Sequence, residues 1–141
     1  MQASNYDTDF YGWAAEQADL LKKGQFEKLD MINLIDEVES LGRSEKNSLI
    51  SYLTIYFLHL LKKKYQPNLD CRSWDISIRN SKAKFIEKLL QNPGLKSKLD
   101  EIFDEAYKDA RVEASKETGF DMDAFPKECP WTKDEVQDAS Q

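Results

Sequence analysis

The sequence predicts an all-α fold, a single-domain helical bundle of about five helices with an extended C-terminal tail packed on it. The chain has 141 residues, which suits one hydrophobic core. Hydrophobic residues make up 40% and charged residues 33%, as in a folded domain. Only 5 glycines and 4 prolines interrupt the chain, which leaves long stretches with apolar residues at helical spacing. We therefore predict one domain over residues 1–141, with residues 1–5 and 137–141 frayed.

A first helix is predicted between a capping segment at residues 6–9 and a stop at Gly24. The side chains that recur on one face between these points are Phe10, Trp13, Ala14, Gln17 and Leu21. We expect Trp13 to lie in the core, because a large aromatic ring gains most from burial.

Two further helices are predicted on either side of Gly42. From Leu29 onward, helical spacing of apolar residues predicts a short, strongly acidic second helix that ends or bends at Gly42. Ser44 is a good cap for a third helix, which runs through the apolar segment at residues 49–61 and stops before Pro67. This segment is shorter than the roughly 20 residues that a membrane-spanning helix needs, so we predict no membrane partner.

The fourth and fifth helices follow two polar connections. Ser73 can cap a fourth helix with two apolar stripes, which predicts neighbours on both sides and makes helices three and four the interior. Asn92 and Pro93 begin a fifth helix that ends at Gly119, where glycine can adopt a left-handed conformation. The tail that follows contains prolines and aromatic residues and is expected to wrap against the bundle, with Thr132 capping a last short turn.

Charge and composition narrow the class of protein. The net charge of -6 makes nucleic acid an unlikely partner, because phosphate binding needs a clustered positive surface. The run of lysines at the end of the third helix is better explained as a match to the negative end of the helix dipole than as an anion site; it consists of Lys62, Lys63 and Lys64. Nucleic-acid binding would be favoured only if these lysines formed a continuous basic stripe with Arg72. The sequence lacks a secretory signal pattern, so we expect a cytoplasmic protein with both cysteines reduced.

The acidic second helix is where chemistry could occur. The chain lacks a phosphate-binding glycine loop, a nucleophile elbow and an HExxH motif, and it has one histidine. Helical spacing puts Asp30 and Glu37 near one edge of the apolar stripe, Glu39 on the other edge and Asp36 outside. The four carboxylates therefore do not converge, which favours a solvated acidic face. A cation site would need oxygens from another helix as well.

His59 lies inside an apolar run, and two interpretations of it are open. A buried neutral histidine hydrogen-bonded to a tyrosine or a carboxylate would explain it without activity. Alternatively, His59 is a base or ligand that faces Glu37 or Glu39 across a cleft between helices two and three, with Gln66 nearby. The catalytic candidates are thus Glu37, Glu39, His59 and Gln66, and the metal candidates are Asp30, Glu37, Glu39 and His59. No cofactor is predicted.

Short motifs occur over nearly the whole chain and are specific as a set. They include Asp9-Phe10-Tyr11, Asn33-Leu34-Ile35, Glu39-Ser40-Leu41-Gly42-Arg43-Ser44-Glu45, His59-Leu60-Leu61-Lys62, Tyr65-Gln66-Pro67 and Glu117-Thr118-Gly119. With this set the chain resembles domain-of-unknown-function family 29, small all-helical proteins abundant in cyanobacteria. The resemblance implies a cytoplasmic helical bundle without an assigned activity, so no catalytic residue is carried over. The chain departs from the pattern of this family at two places. Asp36 stands where a glutamate is common, and Lys63-Lys64 stand where an aromatic residue often occurs.

The function that these observations favour is that of a non-catalytic protein-interaction module. It would bind another protein or itself, as in a homodimer, through an exposed apolar or aromatic patch on the order of several hundred Å². One alternative is an enzyme or a small-ligand or metal-binding bundle with its site beside the acidic second helix. A further alternative is a member of a two-component system that contacts nucleic acid.

Overall fold

A computed structural model describes residues 5–138 of the protein, and this part of the chain is helical without a strand. The α-helices are α1 (Phe10–Lys22), α2 (Met31–Tyr65), α3 (Arg72–Gln91), α4 (Leu99–Thr118) and α5 (Lys133–Gln137). Short 3-10 turns occupy Phe26–Lys28, Pro67–Leu69, Pro93–Lys98 and Met122–Ala124. The prediction of an all-α fold with about five helices is confirmed.

The ends of the chain were predicted to fray. Of these ends, residues 1–4 and 139–141 lie outside the described residues. The carbonyl of Asn5 accepts a hydrogen bond from the amide of Asp9 at 2.8 Å, and Gln137 is the last residue of α5. Fraying of residues 1–5 and 137–141 stays a prediction.

The predicted second and third helices are one continuous helix, α2, so the break predicted at Gly42 is wrong. Positive φ angles occur at Gly24 and Gly119 in the described chain, whereas Gly42 keeps an ordinary helical backbone. A glycine inside a helix costs about 1 kcal/mol relative to alanine, which a long helix tolerates. Ser44 is not a cap but an interior residue, whose carbonyl accepts a bond from the Ser48 hydroxyl.

The chain divides into two compact units, here called unit one, which ends at Arg43, and unit two, which begins at Ser44. Unit two contains the large hydrophobic core. Its fully buried side chains come from the second part of α2, from α3, from α4 and from the C-terminal tail, and include Leu49, Leu53, Phe57, Leu61, Phe85, Ile102, Phe125 and Val136. The all-α, single-domain fold class is confirmed, whereas the extent of the domain over residues 1–141 stays a prediction.

The interior elements of unit two are α2 and α4, so the prediction that α3 is central is wrong. Phe85 and Leu89 of α3 are buried, but its second apolar stripe faces solvent, with Ile76 and Leu90 exposed. By contrast, α4 buries seven side chains: Leu99, Ile102, Phe103, Ala106, Tyr107, Ala110 and Ala114. Two apolar stripes on a helix therefore did not imply two neighbours.

The tail packs on the helices of unit two as predicted. Phe125 is buried, and the Tyr107 hydroxyl donates to the Pro126 carbonyl at 2.6 Å. The predicted end of α4 is also confirmed, because Gly119 has a φ of 78° and closes the helix in the left-handed conformation. Thr132 caps α5 by accepting a bond from the Glu135 amide at 3.2 Å.

Candidate functional site

The buried residues of unit one are joined by hydrogen bonds to Asp30. Trp13 and Gln17 are the buried side chains of α1, and both meet Asp30 at the start of α2. The indole Nε1 of Trp13 donates to Oδ2 of Asp30 at 2.9 Å, and Oε1 of Gln17 accepts from the Asp30 amide at 2.8 Å. The predicted burial of Trp13 is confirmed. These two bonds hold α1 against Asp30, the residue immediately before α2.

Asp30 also binds the first turn of its own helix. Its Oδ1 accepts from the Asn33 amide at 3.4 Å, and its Oδ2 accepts from Nδ2 of Asn33 at 2.8 Å. The hydrogen bonds from the Asn33 side chain and from Trp13 hold the pKa of the Asp30 carboxyl below its usual range. Asp30, a metal candidate, is therefore a charged carboxylate that caps α2 and binds the indole.

Glu37, the next candidate along α2, is bound by a tyrosine. The hydroxyl of Tyr6 donates to Oε1 of Glu37, and this bond to a carboxylate raises the pKa of Tyr6 to about 12. The Tyr6 ring packs edge-on against the Trp13 ring, with 4.7 Å between centroids. Tyr6, Trp13, Asp30 and Glu37 thus form one connected cluster, which we call the polar cluster of unit one.

Sequence reasoning missed Tyr6 as a member of this cluster and Gln17 as the partner of the Asp30 amide. A signal was available, because a buried tryptophan indole needs an acceptor and Asp30 stands at the start of a predicted helix. The partner of each group could not be chosen from the sequence, since several acidic residues of unit one were equally eligible.

Acidification is expected to loosen unit one through Asp30. Since the folded-state pKa of Asp30 is lowered, its contribution to stability is complete above the ordinary value of 3.8 and is lost as the pH falls below it. Amide hydrogen exchange across residues 10–37, measured from neutral pH downward, should show protection falling in this window. In Asp30→Asn, protection should be weaker at neutral pH and its acid-dependent part should vanish. Asp19→Asn, at an exposed position, serves as control, and an unchanged acid profile in Asp30→Asn contradicts the assignment.

Unit one exposes many large hydrophobic side chains among its charged residues. Among the described residues of unit one, Trp13 is the only large hydrophobic side chain that is buried. Nine others are exposed: Phe10, Tyr11, Leu21, Phe26, Met31, Ile32, Ile35, Val38 and Leu41. Burial of such side chains is the main favourable contribution to folding, so their exposure leaves this contribution unused in unit one.

Four of these exposed residues form a regular stripe on α2. Met31, Ile35, Val38 and Leu41 follow one another at spacings of four and three residues, which places them along one side of the helix. We call them the outer stripe. The buried core residues of unit two repeat this spacing further along α2. Leu49, Leu53 and Tyr56 follow Met31, Ile35 and Val38, respectively, by 18 positions, which is about five helical turns. The apolar pattern of α2 therefore continues beyond the core of unit two.

Glu39 does not join Asp30 and Glu37. Its Oε2 lies 3.7 Å from Arg43, and the same guanidinium lies 3.6 Å from Asp36. All three side chains are exposed, so the ion pairs contribute little to stability. The predicted separation of the carboxylates is confirmed for Asp36 and Glu39, which occupy the solvated side of α2.

His59 and Gln66 belong to unit two. The cleft predicted between helices two and three does not exist, because those two segments are a single helix. Nδ1 of His59 lies 2.8 Å from the carbonyl of Ile55, one turn earlier, so its partner is neither the tyrosine nor the carboxylate that was expected. The amide of Gln66 donates to the Lys62 carbonyl at 2.7 Å and ends the helix. A catalytic role for either residue stays a prediction.

No metal-binding group is apparent in residues 5–138, where no three histidine, cysteine, aspartate or glutamate side chains come together. The metal candidates Asp30 and Glu37 have the protein partners described above. A metal role for these residues, with Glu39 and His59, stays a prediction.

An open groove of about 700 Å³ lies on unit two beside the tail. Tyr107, Arg111, Cys129 and Trp131 contribute to its lining, together with charged residues of both signs. Arg111 donates to the carbonyl of Met122 at 2.8 Å and thereby holds the tail. Burial raises the pKa of the Cys129 thiol, which keeps it protonated and unreactive at neutral pH.

Comparisons with known proteins identify a family and no function. The family model described as "Domain of unknown function DUF29" matches residues 5–140, a range that includes both units. No curated protein and no solved structure matches the chain. In residues 5–138, the search for membrane-spanning segments finds no helix that combines the necessary length and apolarity.

Proposed function

The chain belongs to the family Domain of unknown function DUF29, and from that premise we propose that it is a protein-interaction module whose unit one binds a basic amphipathic helix of another protein. One observation carries the proposal, namely the nine large hydrophobic side chains that the described part of unit one exposes. A helix that lays its apolar face on such a surface would bury both faces together.

The outer stripe has the spacing that a helical partner requires. Val38 is 64% exposed and Leu41 is 69% exposed, so both side chains are available as anchors. Residues at i, i+4, i+7 and i+10 present one side of a helix to a second helix, as in knobs-into-holes packing. The stripe extends over three turns of α2, which is enough for several anchor residues of a partner helix.

Charge favours a basic partner over a second copy of this chain. Residues 5–43 contain nine acidic and four basic side chains, a net charge of -5 out of the total of -6. Pairing two copies of unit one would bring like charges together, whereas lysine or arginine residues flanking a partner's apolar face would complement them. We therefore propose a different protein as the partner. A cytoplasmic location is part of the proposal and agrees with the free thiols of Cys71 and Cys129.

A synthetic peptide tests the proposal. The probe is a fluorescent helix of about three heptads with leucine at the a and d positions and lysine elsewhere, compared with a glutamate version of the same pattern. Anisotropy titrations should show that the protein binds the lysine peptide more tightly, with an affinity that falls as salt rises. The double variant Ile35→Asp/Val38→Asp should weaken binding by at least about 30-fold, since two buried interface anchors that each contribute more than about 1 kcal/mol together contribute more than about 2 kcal/mol.

The control substitution is Leu90→Asp in unit two, where the side chain is 72% exposed and lies outside the stripe. This variant should bind the peptide like the wild type. If the double variant Ile35→Asp/Val38→Asp bound the peptide with the affinity of the wild type, the proposed surface would be refuted. If sedimentation velocity shows a stable dimer that the stripe variant abolishes, the occupant is a second copy and the proposed partner is wrong.

A further inference from the structure

We propose that unit two carries a binding site for a small organic phosphate, in a groove between the end of α2 and the first half of α3. The groove has a volume of about 630 Å³ and is open to solvent. Its lining combines four cations with apolar and aromatic walls: Lys63, Lys64, Arg79, Lys82, Tyr56, Leu60, Ile78 and Trp131, together with Asp75. A concave apolar surface with a few convergent charges is the usual form of a small-molecule site.

The charge of this groove is opposite to that of the chain. Four cations face one carboxylate, although the whole protein has a net charge of -6. Lys63 is bound by Asp75 and lies 3.5 Å from Asp70, so it is already neutralised. The side chains of Arg79 and Lys82, by contrast, form no ion pair or hydrogen bond with any residue between positions 5 and 138. These two cations are available to an anion.

Lys82 is the residue that points to a ligand. It is only 6% exposed, which is unusual for a lysine, and it is buried without a counter-charge from the described residues. Lys82 is one of the residues that line the groove, and a lysine stem can be buried while its ammonium group stays at the opening. Holding a cation in a largely buried position is unfavourable unless an anion accompanies it. An incoming anion would supply the missing partner.

The chemistry of the groove suits a phosphate ester. Arg79 offers a planar fork of donors, and the lysines offer point charges, which together match a group with a charge of about -1.5 to -2. Tyr56 and Trp131 provide aromatic surface for an apolar or flat body attached to the phosphate. A lone carboxylate would leave part of the positive charge unmatched.

The same cations do not form a track for a nucleic-acid backbone. Lys62 lies 3.0 Å from Glu117, and Lys63 is paired with Asp70 and Asp75. Carboxylates therefore interrupt the lysine run at the end of α2, and the continuous stripe that would favour nucleic acid is absent from the described part of unit two. The groove accommodates one anionic group rather than a row of phosphates.

Phenyl phosphate is the probe for this site, with inorganic phosphate and benzoate as comparisons. Isothermal titration at low salt should show phenyl phosphate binding to the full chain, at least about tenfold more tightly than either comparison compound. Lys82→Met keeps the buried stem and removes the charge, and it should weaken binding by about tenfold or more. Lys84→Met, at an exposed lysine of α3 that does not line the groove, should leave binding unchanged.

The outcomes separate the possible ligands. Equal affinity of Lys82→Met and wild type, with both folded by circular dichroism, overturns the site. Equal binding of benzoate overturns the preference for phosphate, and equal binding of inorganic phosphate overturns the organic part of the ligand. Binding of a single-stranded oligonucleotide without binding of phenyl phosphate also refutes the proposal. Arg79→Gln should weaken the binding of phenyl phosphate as Lys82→Met does. An unaltered affinity of Arg79→Gln would contradict a site in which Arg79 and Lys82 bind the phosphate together.

Discussion

Replacing Phe57 by alanine is expected to lower the free energy of unfolding by about 3–5 kcal/mol, because it opens a cavity at the centre of unit two. Phe57 is fully buried, and its ring lies 5.6 Å from that of Phe103 and 5.8 Å from that of Tyr107, both edge-on. It also stacks on Trp131 of the tail at 5.9 Å. One side chain therefore joins α2, α4 and the tail.

Urea unfolding followed by circular dichroism measures this loss. The control is Ile55→Ala on the same helix, where the side chain is 42% exposed and the loss should stay near or below about 1 kcal/mol. Phe57→Leu should fall between the two, since part of the volume is retained. A similar loss for Phe57→Ala and Ile55→Ala would contradict the central position of Phe57.

Replacing Trp13 by alanine should cost about 3–5 kcal/mol as well, but with an effect confined to unit one. Trp13 is 3% exposed, packs against the Tyr6 and Phe10 rings and donates to Asp30. It is the only large apolar side chain that the described part of unit one buries, so no neighbouring core residue can compensate for it. Unit one should therefore unfold locally.

Hydrogen exchange resolved along the chain separates this result from global unfolding. Protection should fall over residues 10–40 in Trp13→Ala and persist over residues 49–61 and 99–118. Trp13→Phe retains the ring packing and removes the bond to Asp30, so it should cost about 2 kcal/mol. If exchange accelerates equally in both units, the two units are not independent in stability and the expectation is wrong.

The helices themselves could largely be predicted from local patterns. The start of α1, the glycine that ends α4 and the threonine that caps α5 all follow from side-chain chemistry within one turn. The break at Gly42 was wrong because a glycine marks a helix end only where the backbone takes a positive φ angle. Whether the backbone takes a positive φ angle depends on how the flanking segments pack, and the periodicity of apolar residues does not reveal that packing.

The candidate sites were less accessible to sequence reasoning, because they depend on which groups meet. Asp30 and Glu37 were chosen as carboxylates beside an apolar stripe, but their partners Trp13 and Tyr6 come from residues far earlier in the chain. His59 was expected to meet a distant side chain, and it meets a carbonyl of its own helix instead. The interpretation of Lys82 likewise needed its burial, which no spacing rule predicts.

The sequence by itself determined that this protein is all-helical and which stripes are apolar, and it identified the caps of α1 and α5 and the glycine that ends α4, since these properties are local and periodic. Only the tertiary structure decided which apolar stripe is covered. The stripe with Leu49 and Leu53 forms the core of unit two, whereas the same pattern at Met31 and Ile35 faces solvent. The physical reason is that a hydrophobic side chain gains free energy from any apolar neighbour, so burial depends on which element packs against it rather than on its own pattern.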